Sequence, residues 1–218
     1  MKKYTEYILS LPKTIYFNLK YFDLKTAIKL PIFVSYKTKF KELNGDIIID
    51  SNLSIGMIKI GFGSVGIFDK SKRRTTIQIS GKVKFYGNAS IGHGCGLSIR
   101  GNLEIGNNFI MTAESKIICH DNISFGENCL ISWDCLFMDT DSHYIYDYNN
   151  KCINKNKPII VGDNVWIGCR NLILKGTYIG DNIVIGAQSK LSGEFREENT
   201  IISGNPAKVV KKDIVWSK

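Results

Sequence analysis

Apolar and polar residues alternate along most of the chain, beginning near Asp46. The stretch DIIIDSNLSIGMIKIGFGSVGIF is apolar at nearly every second position and contains frequent glycines. Such alternation predicts short strands joined by tight turns. The preceding residues, 1–45, contain few glycines and many Lys, Tyr and Phe residues. The change of pattern predicts an N-terminal cap segment at 1–45, a β domain at 46–204 and a tail at 205–218.

A longer repeat lies within the β domain. The segment GKVKF at 81–85 returns as GNLEI at 101–105 and as DNISF at 121–125, each time 20 residues later. Further along, VGDNV at 161–165 returns as IGDNI at 179–183, 18 residues later. A period near 18, built from three steps of about six, predicts an all-β fold, a parallel β-helix with three flat faces. Gly, Asp and Asn suit its corners because turns need positive φ or side-chain-to-backbone hydrogen bonds.

One segment interrupts this repeat. Phe125 and Val161 occupy the same column but lie 36 residues apart, whereas adjacent coils would separate them by 18. The extra residues have no six-residue pattern, so we predict a projecting loop at about 138–158. Loops of repeat proteins commonly carry function. This loop contains His143, and Asp139 near its start is a candidate contact for a bound substrate.

The net charge of +9 is concentrated near the N-terminus. Residues 1–41 hold nine Lys against Glu6 and Asp23, so their net charge is 9 − 2 = +7, and they also hold nine aromatic residues. We interpret this segment as a cap on the first coil. Docking on the anionic inner face of a membrane is a second, compatible interpretation. The segment lacks arginine and any nucleic-acid-binding motif, so we expect no nucleic-acid partner.

Prolines divide the same segment. Leu11-Pro12 and Leu30-Pro31 predict breaks, since proline disfavours helix for the residue before it. Between them the pattern predicts a short helix from Thr14 to Leu30, with Ile15 and Leu19 on its apolar face. No apolar run approaches the length of a membrane span, and no signal peptide is evident. We therefore expect a cytoplasmic protein whose six cysteines are reduced and mostly pack in the core.

Three C-terminal motifs resemble the hexapeptide-repeat acyltransferases: KPIIVGDNVWIG at 157–168, IGAQS at 185–189 and GNPAKVV at 204–210. The resemblance covers about residues 46–212. Within the family, the sequence is most similar to maltose and galactoside O-acetyltransferases and to those of capsule and lipopolysaccharide clusters. The resemblance implies a left-handed β-helix and a homotrimer with active sites shared between subunits. It also implies acetyl-CoA as the acyl donor and no requirement for a metal. The implied acceptor is a sugar hydroxyl of a surface polysaccharide or its precursor.

The resemblance also implies the roles of individual residues. His143 matches the catalytic histidine, and Asp141 matches the D-x-H pattern of the polysaccharide branch. We expect the backbone N–H groups near Trp166 to Cys169 to hold the thioester oxyanion. The coenzyme A groove of the family maps onto Cys169, Ala187, Ser192 and Gly193, with basic positions near the coenzyme phosphates at Lys208 and Lys211. The chain departs from the family at Lys175, where Pro is common, and at Ser192-Gly193, where T-K is common.

The residue types fit acyl transfer to a hydroxyl. An imidazole titrates near neutral pH, so His143 suits the general base. A nearby Asp141 would fix its tautomer and support the imidazolium. Asp121 lies one coil before the loop and is a candidate for the acceptor pocket. His93 and His120 fall in turns of the repeat, and we expect both to be solvated.

Three other functions stay open on sequence grounds. N-acetylation of an amino sugar would use the same fold and donor. A metal enzyme of the carbonic anhydrase kind needs three histidines per metal, and the chain has three, at spacings of 27 and 23. A structural β-helix without activity is the third alternative, although it would not need the donor motifs or the loop histidine.

Overall fold

The computed structural model describes residues 2–217, without the side chains of residues 2–4. The side chain of Tyr4, one of the nine aromatic residues counted above, therefore lies outside the described part. The chain forms a left-handed parallel β-helix, which confirms the predicted fold class. Three sheets, named A, B and C, form the faces of a prism, and their strands are parallel except for the antiparallel last pair of sheet A. Before that pair the chain visits A, B and C in that order, coil after coil.

The strands are short and each sheet stacks one strand from every coil. Sheet A contains β1 (Ile32–Val34), β4 (Ile58–Phe62), β7 (Ala89–His93), β10 (Phe109–Ala113), β13 (Leu130–Ile131), β16 (Trp166–Ile167), β19 (Val184–Ile185), β22 (Ile201–Gly204) and β23 (Ala207–Lys211). Sheet B contains β2 (Lys39–Leu43), β5 (Thr76–Ile79), β8 (Gly96–Ile99), β11 (Lys116–Cys119), β14 (Leu136–Met138), β17 (Leu172–Leu174) and β20 (Lys190–Leu191). Sheet C contains β3 (Asp46–Ile49), β6 (Lys82–Phe85), β9 (Asn102–Ile105), β12 (Asn122–Phe125), β15 (Ile159–Val161), β18 (Tyr178–Ile179) and β21 (Glu194–Phe195).

The register follows the columns of the repeat. Ile91, Met111 and Ile131 pair in successive strands of sheet A and are fully buried. Phe125 pairs with Val161 across the interruption, as the spacing predicted. Inward apolar side chains of successive coils therefore stack in columns that fill the prism. Burial of these columns is the main favourable contribution to the free energy of folding. Cys95, Cys119, Cys129 and Cys135 are also buried in this core, as expected.

Asparagine shapes the corner between sheets C and A. Five asparagines in successive coils have positive φ, between 53° and 58°. This left-handed conformation is unfavourable for most side chains but is tolerated by Asn, which explains the repeated Asx residues. Adjacent members also stack, since the Asn164 amide donates to Asn182 at 2.8 Å. The five positions are Asn108, Asn128, Asn164, Asn182 and Asn199.

Two helices precede the coils. Helix α1 spans Lys2–Tyr21 and helix α2 spans Leu24–Ala27, with Asp23 as its N-cap. The predicted break at Leu11-Pro12 is wrong, because α1 continues through Pro12. The predicted helix from Thr14 to Leu30 is also wrong, since α1 ends at Tyr21. No helix in the described part of the chain is long and apolar enough to cross a bilayer.

Polar side chains attach α1 to the first strand. The Asn18 amide donates to the Ile32 carbonyl at 2.7 Å and accepts from the Ile32 N–H at 3.2 Å. The Thr14 hydroxyl accepts from the Val34 N–H at 3.0 Å, and Ser10 continues the series beyond the strand. Four residues of an α-helix and two residues of a β-strand each span about 6 Å. Every fourth residue of α1 therefore meets every second residue of the strand. These side chains replace a neighbouring strand, so the edge of sheet A is hydrogen-bonded and covered.

The first coil begins within the segment assigned to the cap. Strands β1 and β2 lie before residue 46, yet they pair with β4 and β5 in sheets A and B. Phe17 of α1 is buried and stacks on Phe40 at the edge of sheet B, with ring centroids 5.4 Å apart. Helix α1 therefore covers the N-terminal end of both sheets.

Candidate active site

The projecting loop leaves the prism at the corner between sheets B and C. It connects β14 to β15 and contains a short antiparallel bridge between Tyr146 and Cys152. The Asp147 carboxylate closes its tip by accepting hydrogen bonds from the N–H groups of Asn149 at 2.9 Å and Lys151 at 3.0 Å. The loop is thus an ordered finger with its own hydrogen bonds, not a further coil.

Asn154 fastens the base of this finger. Its amide nitrogen donates to the Asp141 carboxylate and to the His143 carbonyl, both at 2.8 Å, and its amide oxygen accepts from the Ile145 N–H at 2.7 Å. Lys175, from the next coil, donates to Asp141 and, at 2.8 Å, to the Asn154 carbonyl. Lys175 first, and Asn154 second, hold the pKa of Asp141 below its usual value. Both strands of the finger are therefore tied to the coil beneath.

His143 lies on the exposed side of this base. Its backbone is held by Asn154, whereas its imidazole has no hydrogen-bond partner within residues 2–217. The Asp141 carboxylate binds Lys175 and Asn154 instead of the ring. In a single protomer Asp141 therefore anchors the loop, and the predicted hydrogen bond from the His143 ring to the Asp141 carboxylate is not formed.

Asp139 has a structural position. Its side chain is fully buried, and its two carboxylate oxygens accept from the N–H groups of His120 and Asp121, each at 2.8 Å. Because both oxygens are occupied, this arrangement does not fit the predicted contact with a substrate. Asp121, in contrast, is exposed to solvent at the same corner, one coil below the loop. Asp139 thus fixes the backbone that presents Asp121.

The backbone near Trp166 is largely committed to the coil. The N–H groups of Trp166 and Gly168 donate to Ile183 at 3.0 Å and Ile185 at 2.8 Å. They are therefore not available to an oxyanion, contrary to the expectation for this stretch. The Cys169 N–H has no backbone acceptor in the described part of the chain and lies at the corner between sheets A and B. It is the amide of this stretch that fits the role.

The C-terminal tail packs against the Trp166 side chain. Trp166 is exposed on sheet A, where its indole N–H donates to the Ser132 hydroxyl at 3.2 Å. The ring of Trp216 lies 6.1 Å from that of Trp166, and its own N–H donates to the Asn164 carbonyl at 2.7 Å. Trp166 is therefore a surface residue that orders the tail, and its indole does not enter the prism.

The predicted donor-binding residues fall on two margins of sheet B. Cys169 and Ala187 lie in successive coils at the corner between sheets A and B. Ser192 and Gly193 lie at the opposite corner, next to Lys175 and the base of the finger. Gly193 has φ +104°, and a Cβ there would meet nothing within 4 Å, so this corner has open space. The other two predicted positions, Lys208 and Lys211, are exposed on β23.

Sequence reasoning missed three features of this region. Asn154 carried no signal, because an Asn in a polar loop is ordinary. Lys175 was noticed only as a departure from the family pattern. His93 is buried, not solvated as predicted: its ring packs edge-on to Phe68 at 6.2 Å, and burial, followed by the charge of Lys70, lowers its pKa.

The three histidines are not gathered at one point. His93 lies at the corner between sheets A and B, His120 at the corner between B and C, and His143 on the finger. Among residues 2–217, no group of three His, Cys, Asp or Glu side chains is arranged to hold a metal ion.

Comparisons with known proteins agree with the motifs. Residues 158–193 match the family profile described as bacterial transferase hexapeptide (six repeats). A protein of Klebsiella pneumoniae, described as an uncharacterized 24.8 kDa protein in cps region, is 30% identical over 193 residues, which are 88% of this chain and 84% of that protein. A polysialic acid O-acetyltransferase of Neisseria meningitidis is 38% identical over 125 residues, which are 57% of this chain and 56% of that enzyme.

A solved structure resembles the coils as well. A galactoside acetyltransferase in complex with coenzyme A is 28% identical, with a TM-score of 0.52. The superposition covers 60% of this chain and 64% of that one, so the chain spans somewhat less than two thirds of its length.

Proposed function

Because this chain belongs to the hexapeptide-repeat acyltransferases, we propose that it transfers acetyl from acetyl-CoA to a sugar hydroxyl of a surface polysaccharide or its precursor. The chain is an acetyl-CoA-dependent acyltransferase. One observation supports the site assignment. The finger that carries His143 leaves the prism at the corner between sheets B and C, where Asp121 lies one coil below and Ser192 and the open space at Gly193 lie above. The relatives that act on polysialic acid and galactosides support the choice of a sugar acceptor.

His143 is the general base of the proposed reaction. A ring nitrogen takes the proton of the acceptor hydroxyl, while the oxygen attacks the carbonyl carbon of the thioester. A C–O bond forms, the C–S bond breaks, and the coenzyme thiolate leaves and takes up the proton from the imidazolium. The Cys169 N–H, which is not used by the coil, is the proposed donor to the oxyanion. Asn154 and Lys175 are positioning residues, because they hold the finger that carries the base.

We further propose that the site is completed between copies in a homotrimer. In one protomer the finger leaves one margin of sheet B, whereas Cys169 and Ala187 lie at the other margin. Three half-buried apolar side chains between the margins, at Leu136, Leu172 and Leu174, give sheet B a surface that suits a protein contact. A neighbouring copy would bring its finger to the Cys169 corner.

Mixing two inactive variants tests this arrangement. His143→Ala removes the base, and Cys169→Trp blocks the donor corner of an otherwise intact copy. When the two variants are coexpressed, some shared sites contain His143 from the Cys169→Trp copy and the unblocked Cys169 corner from the His143→Ala copy. These sites should restore part of the activity. Activity that stays absent in mixed assemblies of demonstrated composition, or a mass of 24.6 kDa by light scattering, would contradict the shared site.

The reaction itself is tested with acetyl-CoA and a panel of nucleotide sugars and oligosaccharides. We expect release of the coenzyme thiol and a product that carries a base-labile ester, with no transfer by His143→Ala. An amide product on an amino sugar would show that the reaction is N-acetylation and not O-acetylation. Binding of acetyl-CoA without transfer to any acceptor in the panel would count against the proposed acceptor class.

We also propose that the enzyme works in the cytoplasm, at the inner face of the membrane, where a lipid-linked precursor would be within reach. The basic segment 1–41 supports this placement through its charge of +7.

A further inference from the structure

Apart from Phe17, the buried side of helix α1 is polar. Its buried side carries Ser10, Thr14 and Asn18, which bind the first strand. Its outward side is apolar, with Ile15 45% exposed and Leu19 51% exposed. A surface helix of a soluble domain normally turns its apolar stripe to the core and its polar face to water. The polar side chains bind the first strand, and Ile15 and Leu19 are left half exposed on the outer side of the helix.

Helix α2 extends this apolar side. Leu24 is 68% exposed and Ile28 is 69% exposed. Together with Ile15, Leu19, Ala27 and Leu30 they line a shallow groove of about 310 Å³ between the two helices. Isolated exposed apolar residues are ordinary, but a contiguous group marks a contact surface. We call Ile15, Leu19, Leu24 and Ile28 the apolar end face.

Positive charge borders the apolar end face. Lys20, Lys25 and Lys29 are exposed around it, and Asp23 is the only acidic residue from 14 to 31, so the net charge of this stretch is 3 − 1 = +2. Such a combination of apolar residues and lysines fits an anionic bilayer surface, in which apolar side chains enter the interface and lysines meet phosphate groups. Two copies of this face would repel each other through their lysines, which favours a lipid partner.

We infer that the apolar end face docks on an anionic membrane. The inference rests on the membrane placement proposed above and names the surface responsible. The face covers the N-terminal end of the coils, so docking leaves sheet B and the finger free along the side of the prism. An enzyme docked in this way would hold its site beside the bilayer, within reach of a lipid-linked glycan.

Vesicle co-sedimentation of the full chain tests the surface. Vesicles of phosphatidylcholine alone are compared with vesicles that also contain phosphatidylglycerol. We expect binding to the anionic vesicles that weakens at high salt. The double variant Leu19→Gln, Ile28→Gln should bind at least roughly tenfold more weakly, because two apolar side chains no longer enter the interface. Replacing all three lysines by Gln should weaken binding roughly a hundredfold, since each contributes about fivefold.

A matched variant controls for the loss of exposed apolar residues in general. Ile55 and Ile67 are exposed outside α1 and α2, so Ile55→Gln, Ile67→Gln should bind like the unmodified protein. Negligible binding to both vesicle types, or unchanged binding by the Leu19, Ile28 variant, would overturn the inference. A change of mass in light scattering for that variant would also overturn it, by assigning the face to a second copy.

Acetyl transfer to a soluble acceptor is measured on the same samples. Transfer without vesicle binding counts against the docking surface alone. Vesicle binding without transfer counts against the proposed reaction alone.

Discussion

The anchor of the finger offers a quantitative test of how the structure supports the reaction. Replacing Asn154 with Ala removes three hydrogen bonds, to Asp141, to the His143 carbonyl and from the Ile145 N–H. All three are exposed, so we assign about 0.5 kcal/mol to each, the lower end of the usual range. The sum of about 1.5 kcal/mol corresponds to a roughly tenfold loss of the ordered finger relative to open conformations.

The assay is the steady-state rate of acetyl transfer at saturating acetyl-CoA. Asn154→Ala should lower kcat by roughly three- to tenfold, because His143 is held less often in the productive position. The melting temperature should change little, since the finger lies outside the core. Asn149→Ala is the matched control, because the Asn149 side chain at the tip makes no hydrogen bond in the described structure. If Asn154→Ala kept full kcat, or Asn149→Ala lost as much, the anchoring role would be refuted.

Three further predictions concern the cap, the thiols and pH. Asn18→Ala should lower the free energy of unfolding by about 2–4 kcal/mol in urea titration, because it leaves two buried backbone groups of strand β1 unpaired; a loss below about 0.5 kcal/mol would contradict strand replacement by α1. A thiol reagent should modify half-buried Cys152 and Cys169 in the native protein, with acetyl-CoA protecting only Cys169, whereas burial raises the pKa of Cys95 to about 12 and should keep it unreactive; fast labelling of Cys95 or equal protection of both half-buried thiols would disagree. The pKa of His93 is lowered in the folded state, so the unfolded chain takes up a proton first as pH falls below about 6.5, and the free energy of unfolding should decline there. His93→Gln should flatten this decline in melting curves recorded at several pH values. An unchanged slope would exclude His93 as its source.

The coil register was predictable because the β-helix repeats its chemistry. Inward apolar columns and Asx corners recur in successive coils, so a match at Phe125 and Val161 sufficed to locate and size the loop. The position of His143 on that loop followed directly. Its surroundings did not, because Asn154 binds the His143 carbonyl from 11 residues away and Lys175 binds Asp141 from 34 residues away. No periodic pattern marks such contacts.

The cap was harder to predict for a physical reason. Periodicity identifies an apolar face, and the usual assumption places that face inward. Here Ser10, Thr14 and Asn18 face inward because they replace the hydrogen bonds of a missing strand. The same bonds fasten α1 on both sides of Pro12, which lies on its exposed surface, so the lost helix hydrogen bond is tolerated.

In the proposed reaction, His143 removes the acceptor proton during acetyl transfer from acetyl-CoA. The most direct measurement is the turnover of His143→Ala and His143→Gln on the acceptor identified by the glycan panel, with coenzyme A binding measured in parallel. We expect a loss of roughly 10²–10⁴-fold in kcat for both variants, with coenzyme A binding retained. Turnover that stays within a few-fold of the unmodified enzyme would contradict this role.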